Sequence, residues 1–139
     1  MKTAFLDSSV LFSAVNSPSG GSSKLFTLPE IKLVTSLVVL TETERNVRKK
    51  LLIHHLERFF ILVDKITIYN QLPSQREIKE AKKIIAEKDA VILSEAKQAK
   101  TSFLITLDRK HFMTKDAANF LKPQKILTPK ELIELTEEK

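Results

Sequence analysis

The 139-residue sequence has no cysteine and no tryptophan, a single tyrosine and only two glycines. Without cysteine there are no disulfides, iron-sulfur clusters, cysteine-rich zinc sites or thiol nucleophiles, so any metal must sit on oxygen or imidazole. The lack also fits a reducing compartment, and a cytoplasmic location is the expectation. Gly20 and Gly21 stand side by side. Tight hairpin turns that need positive φ therefore have almost nowhere to form, which argues against an antiparallel all-β fold. The longest fully apolar run, FFILV at 59–63, is far short of the roughly 20 residues that span a bilayer, so a soluble chain is expected. The start, MKTAFLDSSVLF, imitates a signal peptide, but Asp7 falls inside its apolar region and the segment reads as a first strand.

What is present suits one compact domain over 1–139, with 42% apolar residues. Twenty-three Lys and Arg against seventeen Asp and Glu give a net charge of +6, a modest excess that favours a polyanionic partner such as nucleic acid. Short apolar runs at 3–6, 32–35, 66–69, 103–107 and 125–127 alternate with longer helical patterns, which suggests βαβ units. Ser36 can cap a helix through about Lys50, and LLIHHLERFFILV continues at helical spacing. Pro73 breaks the chain after ITIY. Ser74 with Glu77 and Thr128 with Glu131 form capping boxes. The first opens a helix with Ile78, Ala81 and Ile85 on one face. The second, with Pro129 in its first turn, opens a final helix to about 136. SPSGGSS at 17–23 reads as a loop, and there is no internal repeat.

The acids fall at informative places. Asp7 follows the run TAFL and Asp108 follows FLITL, so both stand just past the carboxyl ends of expected strands. In an open parallel sheet that edge binds ligands where the winding reverses. An Asp after a strand also commonly caps the next helix, and both readings stay open. Asp89 precedes Ile92, Leu93 and Ala96 by three, four and seven residues, so it either caps that helix or is held inward. Several buried carboxylates become tolerable together when a divalent cation joins them. Glu42 lies near the start of another helix, with Arg45, Asn46 and Lys49 on its face, an acid bordered by phosphate-seeking groups or else a solvated face. Glu44 shares a different stripe, with Leu40, Val47 and Leu51.

Together DSSVLFSAV, SLVVLTETERNV, DAVILSEAKQAKTSFLITLDRKHF and ILTPKELIEL resemble the PIN-domain ribonucleases, including the VapC-type toxins of prokaryotic toxin-antitoxin pairs. The likeness spans nearly the whole chain. It implies a three-layer α/β/α sandwich with a mainly parallel sheet of about five strands, and an acidic pocket that binds Mg²⁺ or Mn²⁺ to cleave RNA. On this resemblance Asp7, Glu42, Asp89 and Asp108 are the catalytic acids, with Asp7, Asp89 and Asp108 as metal ligands. Ser9 and Thr106 are supporting hydroxyls. The sequence departs from many relatives, which have Asn where Ser9 stands, and some of which have a further acid near Lys110 and His111; Asp116 is a candidate replacement. An antitoxin partner and a homodimer through the apolar 51–63 helix are further expectations of the family likeness.

The basic residues Arg45, Lys49, Arg109 and Lys110 are candidates for holding the RNA backbone. Eight Phe and one Tyr give little support for base stacking. His54, His55 and His111 show no metal-binding spacing and read as structural or surface residues. No glycine-rich nucleotide loop exists, and DSSV lacks the second acid of a haloacid-dehalogenase-type phosphatase. Two other functions remain open: a PIN-fold RNA-binding module without turnover, and a receiver-like Mg²⁺-binding phosphoacceptor domain.

Overall fold

The computed structural model describes residues 1–138. Five strands form one parallel sheet: β1 (Lys2–Leu6), β2 (Ile31–Ser36), β3 (Thr67–Tyr69), β4 (Phe103–Ile105) and β5 (Lys125–Leu127), in the order β3-β2-β1-β4-β5. β1 pairs with β2 through Ala4 opposite Leu33 and with β4 through Leu6 opposite Ile105. All pairings are parallel, as scarce glycine and alternating patterns suggest, and the three-layer α/β/α expectation holds. The helices are α1 (Ser8–Asn16), α2 (Gly21–Lys24), α3 (Leu37–Lys50), α4 (Ile53–Val63), α5 (Gln75–Lys82), α6 (Glu87–Ala99), α7 (Arg109–Phe112), α8 (Lys115–Leu121) and α9 (Pro129–Glu137).

Strand alternation builds the layers. Ala4 and Leu6 of β1 face a core made with α1, α3, α4 and α9. Phe5, between them, faces a second core made with α5, α6 and α8. Both faces of the central strands are thus covered, which is why their sequences read as continuous apolar runs. Among the described residues no helix is long and apolar enough to cross a membrane.

The helix signals act as expected, except that Ser74 and Glu77 form only the serine half of a capping box. Ser36 Oγ accepts the backbone amide of Val39 at 3.2 Å, Ser74 Oγ that of Glu77 at 3.2 Å, and Thr128 with Glu131 closes a full capping box. Some boundaries differ. The segment 51–63 does not continue the preceding helix: Leu51 is extended (φ −119°, ψ 167°) and α4 starts afresh. Apolar spacing persists across that break because both helices pack on the same core, so periodicity alone misses it. Ile85 lies beyond the end of α5 yet is buried. The expected loop 17–23 includes the start of α2, where buried Ser23 donates through Oγ to the carbonyls of Ala14 (2.9 Å) and Ser17 (2.6 Å). Helix α9 runs one residue past the expected end, and Lys139 lies outside the described residues.

From β1 the chain winds outward through β2 to β3, then returns to lay β4 on the other side of β1 and β5 beyond it. The winding therefore reverses between β1 and β4. A crevice opens at the carboxyl ends of strands at such a reversal, and Asp7 and Asp108 follow those two strands.

Candidate functional site

Asp7 is only 4% exposed. Its Oδ1 accepts the Ser8 amide at 2.7 Å, which caps α1. Its Oδ2 accepts two hydroxyls, Ser9 Oγ and Thr106 Oγ1, each at 2.8 Å. These donors make a buried charge tolerable. Both hydroxyls also reach the β4 turn: Ser9 Oγ accepts the Leu107 amide at 3.1 Å, and Thr106 Oγ1 accepts the Asp108 amide at 3.0 Å. Ser9 and Thr106 thus fasten the end of β1 to the end of β4.

Asp108 caps α7 through Oδ1, which accepts the His111 amide at 3.1 Å. The imidazole Nδ1 of His111 lies 2.9 Å from Asp108 Oδ2. For Asp7 and Asp108, capping and facing the crevice are therefore compatible. Asp89 is different. The residue at the cap of α6 is Ala86, which makes no side-chain cap bond, and Asp89 sits inside the first turn, half-buried. Burial raises its carboxyl above the ordinary range, and the charges of Asp7 and Asp108 raise it further, while Lys88 and His111 oppose the rise. Of the two sequence readings, the inward one holds.

Glu42 on α3 is the fourth acid, mostly covered, with Lys88 Nζ 3.8 Å from its Oε1. Asp7, Glu42, Asp89 and Asp108 all line one cleft of about 220 Å³, together with Ser9, Asn46, Lys50 and Lys88. The cleft shares Glu42, Asn46 and Lys88 with a wider groove of about 650 Å³ along α3, which Arg45 and Lys49 also line. Arg109 and Lys110 are exposed on α7 and line neither. Glu44 turns away to pair with Arg48 at 2.9 Å, and Asp116 is exposed in the first turn of α8, outside the cleft.

Sequence reasoning misses two residues here. Lys88 reaches Glu42 only because α6 packs beside α3, a tertiary fact. His111 carries a readable signal, since Asp108-x-x-His111 spaces an acid and an imidazole by three residues across one turn. Its ring nitrogen, with carboxylate oxygens of Asp89 and Asp108, makes a group of donor atoms all within 4.8 Å of one another. His54 and His55 lie on α4, outside the cleft.

The donor chemistry fits a divalent cation. Oxygen atoms of Asp89 and Asp108 and a ring nitrogen of His111 converge, and Asp89 is raised by burial first and by the charges of Asp7 and Asp108 next; a cation among them would offset the mutual repulsion of the carboxylates. Asp89, Asp108 and His111 are the residues placed to hold it most closely, with Asp7 and Glu42 beside them in the cleft.

The PIN domain family model matches residues 4–117. The chain belongs to the PIN-domain family. Solved structures with the same fold include DNA-bound VapBC from Salmonella typhimurium, which is 13% identical, with 93% of this chain and 99% of that one covered and a TM-score of 0.67. VapBC2 from Rickettsia felis, bound to a promoter DNA fragment, is 18% identical, with 90% and 96% of the two chains covered and a TM-score of 0.64. VapC20 from Mycobacterium tuberculosis, a toxin that cleaves the sarcin-ricin loop, is 13% identical, with 77% and 91% covered and a TM-score of 0.58. No curated protein matches the sequence. In this PIN domain the family match takes in all four cleft acids, Asp7, Glu42, Asp89 and Asp108.

Proposed function

We propose that this PIN domain is a divalent-metal-dependent endoribonuclease, the toxin of a toxin-antitoxin pair. The observation that carries the reading is the meeting of Asp7, Glu42, Asp89 and Asp108 in one cleft at the reversal of the sheet. A bound Mg²⁺ or Mn²⁺ would neutralise the phosphodiester and lower the pKa of an attacking water. Asp7, Asp89 and Asp108 serve as its carboxylate ligands, and Glu42 orients water at the rim of the cleft. Ser9 and Thr106 hold Asp7 in place through their 2.8 Å bonds. Arg45 and Lys49 hold the RNA backbone along the α3 groove. Arg109 and Lys110, exposed on α7 directly after Asp108, extend that contact beyond the groove.

The structural relatives solved as VapBC complexes support an antitoxin partner, and a cytoplasmic toxin is the natural setting for one. The unit is a homodimer. Exposed Ile53, Phe60 and Ile61 on α4, at 86%, 50% and 59%, supply the apolar surface, and sedimentation that gives a concentration-independent monomer contradicts the dimer.

The test is cleavage of structured RNA by purified protein. Cutting in Mg²⁺ or Mn²⁺ and none in excess EDTA is expected; equal cutting in EDTA refutes the reading. RNA binding without turnover under every metal condition would make the protein a binding module, and labelling by a small phosphodonor would make it a receiver-like domain.

A further inference from the structure

We infer that the His111 imidazole is a nitrogen ligand in the metal pocket, so that the site takes first-row transition ions in preference to Mg²⁺. The inference rests on the metal-site reading above and adds to it a ligand of a different chemical kind.

The geometry is specific. The ring Nδ1 of His111 stands 3.0 and 2.9 Å from the two oxygens of Asp108. Together with one oxygen of Asp89, donated from a different helix, it falls inside a 4.8 Å group. An ordinary cap-side pair between Asp108 and His111 would account for the first contact and not for the convergence of α6 on it. Adjacent donors of a six-coordinate ion with bonds of about 2.1 Å lie about 3 Å apart, close to the Asp108 to His111 spacing. The ring is also well positioned in advance, because the His111 amide is bonded to Asp108 Oδ1 at 3.1 Å. Half of the side chain is exposed, which leaves the pocket open to an ion from solvent.

Imidazole is a softer donor than carboxylate. It strengthens binding of Fe²⁺, Co²⁺, Ni²⁺ and Zn²⁺ far more than binding of Mg²⁺ or Mn²⁺, which suit oxygen and water. Removing it should therefore change metal preference rather than only weaken every ion alike.

Mn²⁺ is the probe. The metal-free full chain, with and without [¹⁵N]histidine, is loaded with Mn²⁺ and read by electron spin echo spectroscopy, alongside His111→Gln. The expected result is nitrogen coupling that changes with the ¹⁵N label and disappears in the variant. Calorimetry should show Co²⁺ affinity falling at least about tenfold in His111→Gln while Mg²⁺ affinity moves less than about twofold. Because the cap uses the backbone of His111, the variant keeps it, and unchanged circular dichroism checks the fold. Mn²⁺ bound without nitrogen coupling, or equal losses for Co²⁺ and Mg²⁺, overturns the inference and leaves the carboxylate site standing. Failure of wild type to bind Mn²⁺ at all overturns the metal site itself.

Discussion

Thr106 Oγ1 donates to Asp7 Oδ2 at 2.8 Å, joining residues 99 positions apart. The same oxygen accepts the Asp108 amide at 3.0 Å, and Thr106 is fully buried. One hydroxyl thus sets two acids relative to each other, and it does so where the β1 and β4 ends meet. The separation in sequence is closed by the parallel register of Leu6 with Ile105.

Replacing Thr106 by Val keeps the shape and removes the hydroxyl. Asp7 then loses one of its donors in a buried setting, and stability should fall by about 1–3 kcal/mol in urea denaturation. Cleavage should fall by about 10- to 100-fold, as when a partner that orients a metal ligand is lost. Thr106→Ser should retain most of both. Loss in the Ser variant with none in the Val variant would mean that the methyl group, not the hydroxyl, matters.

A second buried acid lies away from the cleft. Glu95 on α6 is 2% exposed, and Ser36 Oγ donates to its Oε1 at 2.7 Å. Burial pushes its carboxyl from 4.5 up to about 7, against the lowering effect of the Ser36 bond. Between those two values the folded protein holds a proton that the unfolded chain has released, so this group's contribution to stability falls as pH rises across that window. Above about pH 7 the penalty is complete, about 3 kcal/mol. Glu95→Gln should match wild type near pH 4 and exceed its stability at pH 8 in urea melts. A variant with the same advantage at both pH values would contradict the shift.

Much of this architecture is legible in the amino-acid sequence. The strands follow from short apolar runs, and the α3, α5 and α9 starts from Ser36, Ser74 and Thr128, because these are local signals. Asp7 and Asp108 are recognisable by position after their strands. Glu42 and Asp89 come with alternatives, since a helix face or a first-turn acid has the same sequence signature whether it meets solvent or a cleft. Only packing of α3 and α6 around the reversal decides it. Lys88 is illegible for the same reason. Of the proposed basic contacts, Arg45 and Lys49 share the groove with Glu42, whereas α7 turns Arg109 and Lys110 away from it.

That difference makes a prediction about salt. In a cleavage-dead Asp108→Asn background, RNA affinity should fall with salt at a log-log slope of about −0.7 per phosphate contact. Alanine at both Arg45 and Lys49 should flatten the slope by about 1.4, the value for two contacts. Alanine at both Arg109 and Lys110 should flatten it less. Filter binding at several salt concentrations measures this, and an unchanged slope for the Arg45 and Lys49 pair would remove the α3 groove from the RNA path.

The most direct measurement of the central claim, that these carboxylates form a metal site rather than a set of structural acids, is the melting temperature of wild type and Asp89→Asn in EDTA and in Mn²⁺. Asp89 caps nothing, so the substitution takes away a charge and no cap. Two carboxylate charges about 5 Å apart at an effective dielectric of about 20 repel by roughly 3 kcal/mol before screening. Asp89→Asn is therefore expected to melt higher than wild type in EDTA by about 3 °C or more. Mn²⁺ at about 100 times its Kd should stabilise wild type by about 2.7 kcal/mol, and the variant should gain little. An Asn variant that melts lower than wild type in EDTA, yet rises with Mn²⁺ as wild type does, would contradict the metal site.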